Sequence, residues 1–71
     1  MNYAVIQFIN GAFSVKYEGS NLNSIQVNYH QWIAALRNDD GAVDGIVKLV
    51  DENLDVVEGY MEVIHKPAKN A

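Results

Sequence analysis

Two largely apolar, β-prone runs, 3–9 and 12–18, flank the pair Asn10-Gly11 near the start of the chain. Asn-Gly suits a two-residue type I′ hairpin turn, because both turn positions need positive φ. That turn fixes a ladder in which Ile9 pairs with Ala12, Phe8 with Phe13, Gln7 with Ser14 and Ile6 with Val15. Continued without interruption, it sets Val5 opposite Lys16, Ala4 opposite Tyr17 and Tyr3 opposite Glu18. Strand side chains alternate between faces, so the register sorts the hairpin. One face carries Ala4, Ile6, Phe8, Phe13, Val15 and Tyr17 and is apolar along its length. The other mixes Tyr3, Val5 and Ile9 with Gln7, Ser14, Lys16 and Glu18. The apolar face is expected to meet the core, with Tyr3, Val5 and Ile9 left on the outer side.

The period then changes. Ile25, Tyr29, Trp32, Ile33 and Leu36 recur at the spacing of one helical face, while Gln26, His30 and Arg37 fall outside that stripe. Asn23 with Gln26 three residues on forms an Asn/Gln version of the capping box, and Leu22 and Val27 take the positions of a hydrophobic staple. The spacing predicts a helix from about Ser24 to Arg37, ended by "NDDG" with Gly41 in a left-handed turn.

The last stretch, "AVDGIVKLVDENLDVVEGYMEVIHK", is rich in β-branched residues and reads as a second hairpin. Its strands are expected near Val43–Val50 and Asp55–Ile64, with Val43, Val47 and Leu49 facing the helix and Ile46, Lys48 and Val50 opposite. In the second strand Val56 has one parity while Val57, Met61 and Val63 have the other. A bulge near Glu58-Gly59 reconciles them, since one extra residue shifts parity; a three-residue loop without a bulge is the competing account. The order ββαββ predicts an α+β fold, a four-stranded antiparallel sheet with one helix packed on one face. The neighbours of strand one stay open between strands three and four. Residues 1–66 are expected to form one domain and 67–71 a flexible C-terminal tail.

Such a sheet has a second face. By parity it collects Tyr3, Val5, Ile9, Ile46, Val50, Tyr60 and Ile64, interrupted by Lys16, Lys48, Glu58 and Glu62. Monomers rarely leave a contiguous patch of that content bare. A second copy is the simplest cover, because two-fold homodimers dominate soluble oligomers. These seven residues are therefore the candidate interface.

Composition narrows the rest. At 71 residues with no Cys, neither disulfides nor thiolate zinc sites are available, and the core is near the lower size limit. The 49% hydrophobic content allows both tight packing and oligomerisation. Net charge is −4, with +1 over residues 1–38 and −5 over 39–71. An acidic chain lacks the basic surface on which nucleic-acid affinity rests, so no nucleic-acid partner is expected. The start of the chain has no basic n-region and no apolar run of spanning length; no membrane partner and a cytoplasmic location are expected.

Candidate chemistry is sparse. Asp51, Asn53, Asp55 and Glu62 match positions 1, 3, 5 and 12 of an EF-hand calcium loop. Position 6, where the motif needs Gly, is Val56, and the flanks have the period of strands. With residues 56–62 extended, Glu62 lies about 20 Å beyond the hairpin tip and cannot close a cage with Asp51. Asp39, Asp40 and Asp44 precede the third strand, whereas Asp51, Glu52 and Asp55 follow it, so the acids do not converge. His30 and His65 have no metal-ligand spacing, and no Ser or Thr sits in a nucleophile-elbow pattern. No catalytic residue, cofactor or metal is expected. Three function classes remain. The leading one is a small non-enzymatic protein-interaction module acting as a homo-oligomer. The alternative is an acidic inhibitor or decoy, of the kind small mobile elements use, that binds a basic partner. The third is a small-ligand binder or enzyme using a pocket at an oligomer interface near Tyr29, His30 and Arg37.

Overall fold

The computed structural model describes residues 1–69. Its elements are β1 (Tyr3–Ile9), β2 (Ala12–Gly19), α1 (Leu22–Asn38), β3 (Val43–Asp51) and β4 (Val56–Lys66). The strands form one antiparallel sheet in the order β2-β1-β3-β4, with α1 on one face. This is the expected ββαββ, α+β architecture, and the strand order places β1 beside β3.

Asn10 (φ 52°) and Gly11 (φ 80°) make the type I′ turn. The β1–β2 ladder follows the expected register from Ile9–Ala12 to Ile6–Val15 and then shifts, pairing Val5 with Tyr17, Ala4 with Glu18 and Tyr3 with Gly19. Lys16 is the extra residue. A bulge of this kind bends its strand and re-aims side chains. Here Tyr17 leaves the parity of Phe13 and Val15 and lines a shallow depression with Asn23, Val27 and Asn28 of α1. The Lys16 ammonium comes to rest 5.0 Å from the Trp32 ring centroid, an attraction that the ring quadrupole favours.

Asn10 does more than turn the chain. Its backbone N–H donates to Asp44 O at 2.8 Å. Its side-chain Nδ2 donates to Ala42 O at 2.8 Å, and its Oδ1 accepts from Asp44 N at 2.9 Å. The tip of the first hairpin is thereby tied to the start of β3. One step along, β3 approaches β1 so closely that a Cβ on Gly45 would lie 1.9 Å from Phe8 O. Only glycine fits there.

The helix begins two residues earlier than the sequence suggests. Asn21, not Asn23, is the N-cap, and its Oδ1 accepts from Ser24 N at 3.2 Å. Leu22 thus belongs to the first turn and packs on the core, while Val27 is exposed, so no staple joins them. At the other end Gly41 is not left-handed. The chain leaves the helix through an extended Asp39, whose Oδ1 accepts from Gly41 N at 2.7 Å. The Asp39 backbone N–H donates to Leu36 O at 3.3 Å, which caps the last turn without a left-handed glycine.

In β4, Lys48 pairs with Met61 but Val50 pairs with Val56, so residues 57–60 stand opposite Leu49 alone. The irregularity includes Gly59 at φ 86° and turns Val57 and Tyr60 towards the helix-side core. It lies where the parity conflict placed a bulge. At the end of the chain, Lys69 N donates to Asp40 O at 2.8 Å. The final residues of the expected tail, 70–71, lie outside the described residues.

The core is a single helix-side cluster of Val5, Ile25, Tyr29, Ile33, Val43, Val47, Leu49 and Ile64. The helix stripe and the inward parity of β3 are as expected. The first hairpin, however, is inverted: Val5 is fully buried beneath the helix, and Phe13 is 63% exposed on the far side. The cause is the β1–β3 register. Val5 pairs with Leu49 and Gln7 with Val47, and paired residues share a face, so the inward side of β3 dictates that of β1. Tyr29 and Trp32 supply bulk from the helix, and the smaller residues of the hairpin fit beneath them. Gln7 is buried with them, its Oε1 without a hydrogen-bond partner.

Candidate interaction surface

The seven residues proposed as the interface are divided between the two faces. Tyr3, Val5, Ile9, Tyr60 and Ile64 belong to the helix side, where Val5 and Ile64 are core and the other three pack against it. Ile46 and Val50 alternate with Val47 and Leu49 and so lie on the open side, although Val50 is only 1% exposed. Apolar content favours the wrong face of β1, and its buried partners Leu49 and Val47 reverse it.

The open face is built in rows across the sheet. One row runs Phe13, Phe8, Ile46, Val63, and the next Val15, Ile6, Lys48, Met61. Val63 (64%), Phe13 (63%), Met61 (51%) and Phe8 (50%) are among the most exposed large apolar side chains of the described chain. Between Ile6, Phe8, Phe13, Ile46 and Lys48 lies a depression of about 140 Å³. Beyond the first row, Asp44 and His65 form a register pair, with Asp44 Oδ1 2.8 Å from His65 Nδ1. Lys48 is thus a cation set among apolar neighbours, with no ion-pair partner among the described residues. None of Phe8, Phe13, Val15, Met61 and Val63 was in the expected interface. For Phe8, Phe13 and Val15 the signal is the first hairpin's apolar parity, and for Met61 and Val63 the odd parity of β4, both of which point inwards in the sequence pattern.

Other candidate groups are engaged locally. Asp51, the first residue of the EF-hand-like spacing, accepts at Oδ1 from Asn53 N (2.8 Å) and Asp55 N (3.1 Å). That side chain shapes the hairpin tip, and the flanks are strands β3 and β4. Glu18, Asp51 and Glu52 rim an open depression of about 430 Å³ with Asn2 and Tyr3. At the opposite end of the strands Asp40 meets Lys69 at 3.7 Å, and Lys66 Nζ donates to the Asp39 and Gly41 carbonyls. No group of three acidic or His side chains among the described residues is placed to hold a metal ion.

Tyr29, His30 and Tyr60 contact one another ring to ring, with centroids 5.2 Å apart for Tyr29–His30 and Tyr29–Tyr60. Arg37 turns away to Glu62 at 2.9 Å, tying the last turn of α1 to β4. Burial first, then the Glu62 carboxylate and the Tyr60 hydroxyl, raise the Tyr29 hydroxyl above its ordinary pKa. No helix among the described residues is long and apolar enough to cross a membrane. No protein-family model, curated protein or solved structure matches this chain.

Proposed function

We infer that this chain is a small non-enzymatic interaction module that works as a homo-oligomer, two copies covering each other's open sheet faces. The observation that carries this reading is the exposed layer of Phe8, Phe13, Val15, Met61 and Val63 on the side away from the helix. Fully burying an exposed side chain of this kind is worth about 1.5–3 kcal/mol; these five keep roughly half of that surface exposed, so covering them favours association.

Size supports the same occupant. Four strands about 4.8 Å apart, paired over roughly seven residues at about 3.4 Å each, present a projected area of about 450 Å². Two copies face to face cover about 900 Å² in projection, and more once side-chain relief is included, which reaches the scale of a specific interface. The mutual packing of Tyr29, His30 and Tyr60, and the turn of Arg37 towards Glu62, further favour a binding role over catalysis.

Light scattering during size exclusion, repeated over a dilution series, tests the reading. The wild-type chain is expected at twice its 7.9 kDa mass. Phe13→Asp and Val63→Asp are expected to give monomers with unchanged circular dichroism, because both positions are largely exposed within one chain. A wild-type chain that is monomeric at every concentration overturns the reading.

A further inference from the structure

Covering the open face with a second copy, as inferred above, encloses Lys48. Its cross-strand neighbours are Ile6 and Met61, and an ammonium shut into such a setting needs an anion. Asp44 lies on the same face of the same strand, and its contact within the chain is His65. Glu18, which pairs with Ala4 after the bulge, lies on edge strand β2, two strands away. Resting on the homo-oligomer reading, the geometry points to a two-fold axis crossing β3 at Ile46, at right angles to the strands, that joins Lys48 of each copy to Asp44 of the other.

Asp44 and Lys48 stand two residues to either side of Ile46, about 7 Å away along the strand in each direction. Rotation about an axis through Ile46 therefore sets each over the other. Stacked sheets lie about 10 Å apart, a gap that a lysine and an aspartate side chain span together. A two-fold interface repeats every contact, so the arrangement yields two identical ion pairs. The same axis runs along the row of Phe13, Phe8, Ile46 and Val63, so each of these meets its own copy, aromatic on aromatic and aliphatic on aliphatic. An axis parallel to the strands lays β3 over β1 instead. It gathers both Lys48 ammoniums into one apolar layer without a carboxylate, a juxtaposition of like charges that opposes binding.

Charge reversal with mixing separates these arrangements. Lys48→Glu and Asp44→Lys each set like charges together twice in a homodimer, and each is expected to raise the dimer dissociation constant by about tenfold or more. In an equimolar mixture of the two variants, the introduced carboxylate meets the introduced ammonium, and the native Asp44 of one chain meets the native Lys48 of the other. The mixed dimer is expected to bind within about threefold of wild type, since both pairs are regained. Circular dichroism of each variant verifies the fold. If a reversal unfolds the chain, Lys48→Gln and Asp44→Asn in a double-mutant cycle replace it. Coupling above about twofold then supports the pair, and additivity overturns it. A wild-type dimer whose reversed variants gain nothing from mixing overturns the axis at Ile46 while leaving the sheet-face dimer standing. So does a Lys48→Met variant that tightens the dimer whatever occupies position 44. A wild-type chain that never dimerises removes the underlying reading instead.

Discussion

Gly45 sets how closely β1 and β3 approach. A methyl group there would sit 1.9 Å from the Phe8 carbonyl oxygen, and backbone cannot step aside as a flexible side chain can. Gly45→Ala is expected to destabilise the fold by about 3 kcal/mol, at the upper end of ordinary overpacking. Urea unfolding followed by circular dichroism measures this as a lowered midpoint; an unchanged midpoint contradicts the close approach. The sequence offered no sign of this contact, because its partner is 37 positions away. Asn10 was legible in part for the same reason. Its turn follows from the neighbour Gly11, whereas its bonds to Ala42 and Asp44 depend on a strand order that local pattern does not specify.

At the scale of elements, α1 is readable because its apolar stripe stands against a polar face, and the inward side of β3 because Val43, Val47 and Leu49 share one parity. The first hairpin has one apolar face and one mixed face, and apolar content alone favours the wrong one for the core. Only the pairing of Val5 with Leu49 decides the matter. The parity conflict in β4 was a sound signal for the irregularity at 57–60, since a strand buried on one side tolerates a shift only where an extra residue absorbs it. The helix–sheet seam has its own pH signature. Tyr29 is raised above its ordinary pKa of 10.0, chiefly by burial. The unfolded chain therefore loses that proton at lower pH than the folded one. The neutral form's contribution is complete below pH 10 and declines as pH climbs from there through the folded-state value. Tyr29→Phe is expected to be close to neutral at pH 7 and to flatten the loss of stability as pH rises above 10. Urea midpoints across that range give the comparison; parallel declines in both proteins contradict it.

For the whole molecule, the α+β class and the ββαββ order were legible, and the location of the exposed apolar layer was not. A pair held by its sheet faces binds folded chain and not unfolded chain, so its stability must rise with concentration. The melting temperature is expected to increase by about 5 °C or more over a hundredfold range of protein concentration. Phe13→Asp is expected to abolish that dependence, and a wild-type melting temperature independent of concentration contradicts the pairing. The two irregularities in the sheet have a consequence for where such association stops. They fall on the outer strands, at Lys16 in β2 and over 57–60 in β4. Fibre growth recruits long, unbroken strand edges, and bulges twist such edges away. With both margins interrupted, lateral addition of further chains has only short templates, whereas a two-fold face contact uses up its surface in one step. The misfit residues of β2 and β4 thus favour an assembly that terminates at two chains over one that propagates as amyloid.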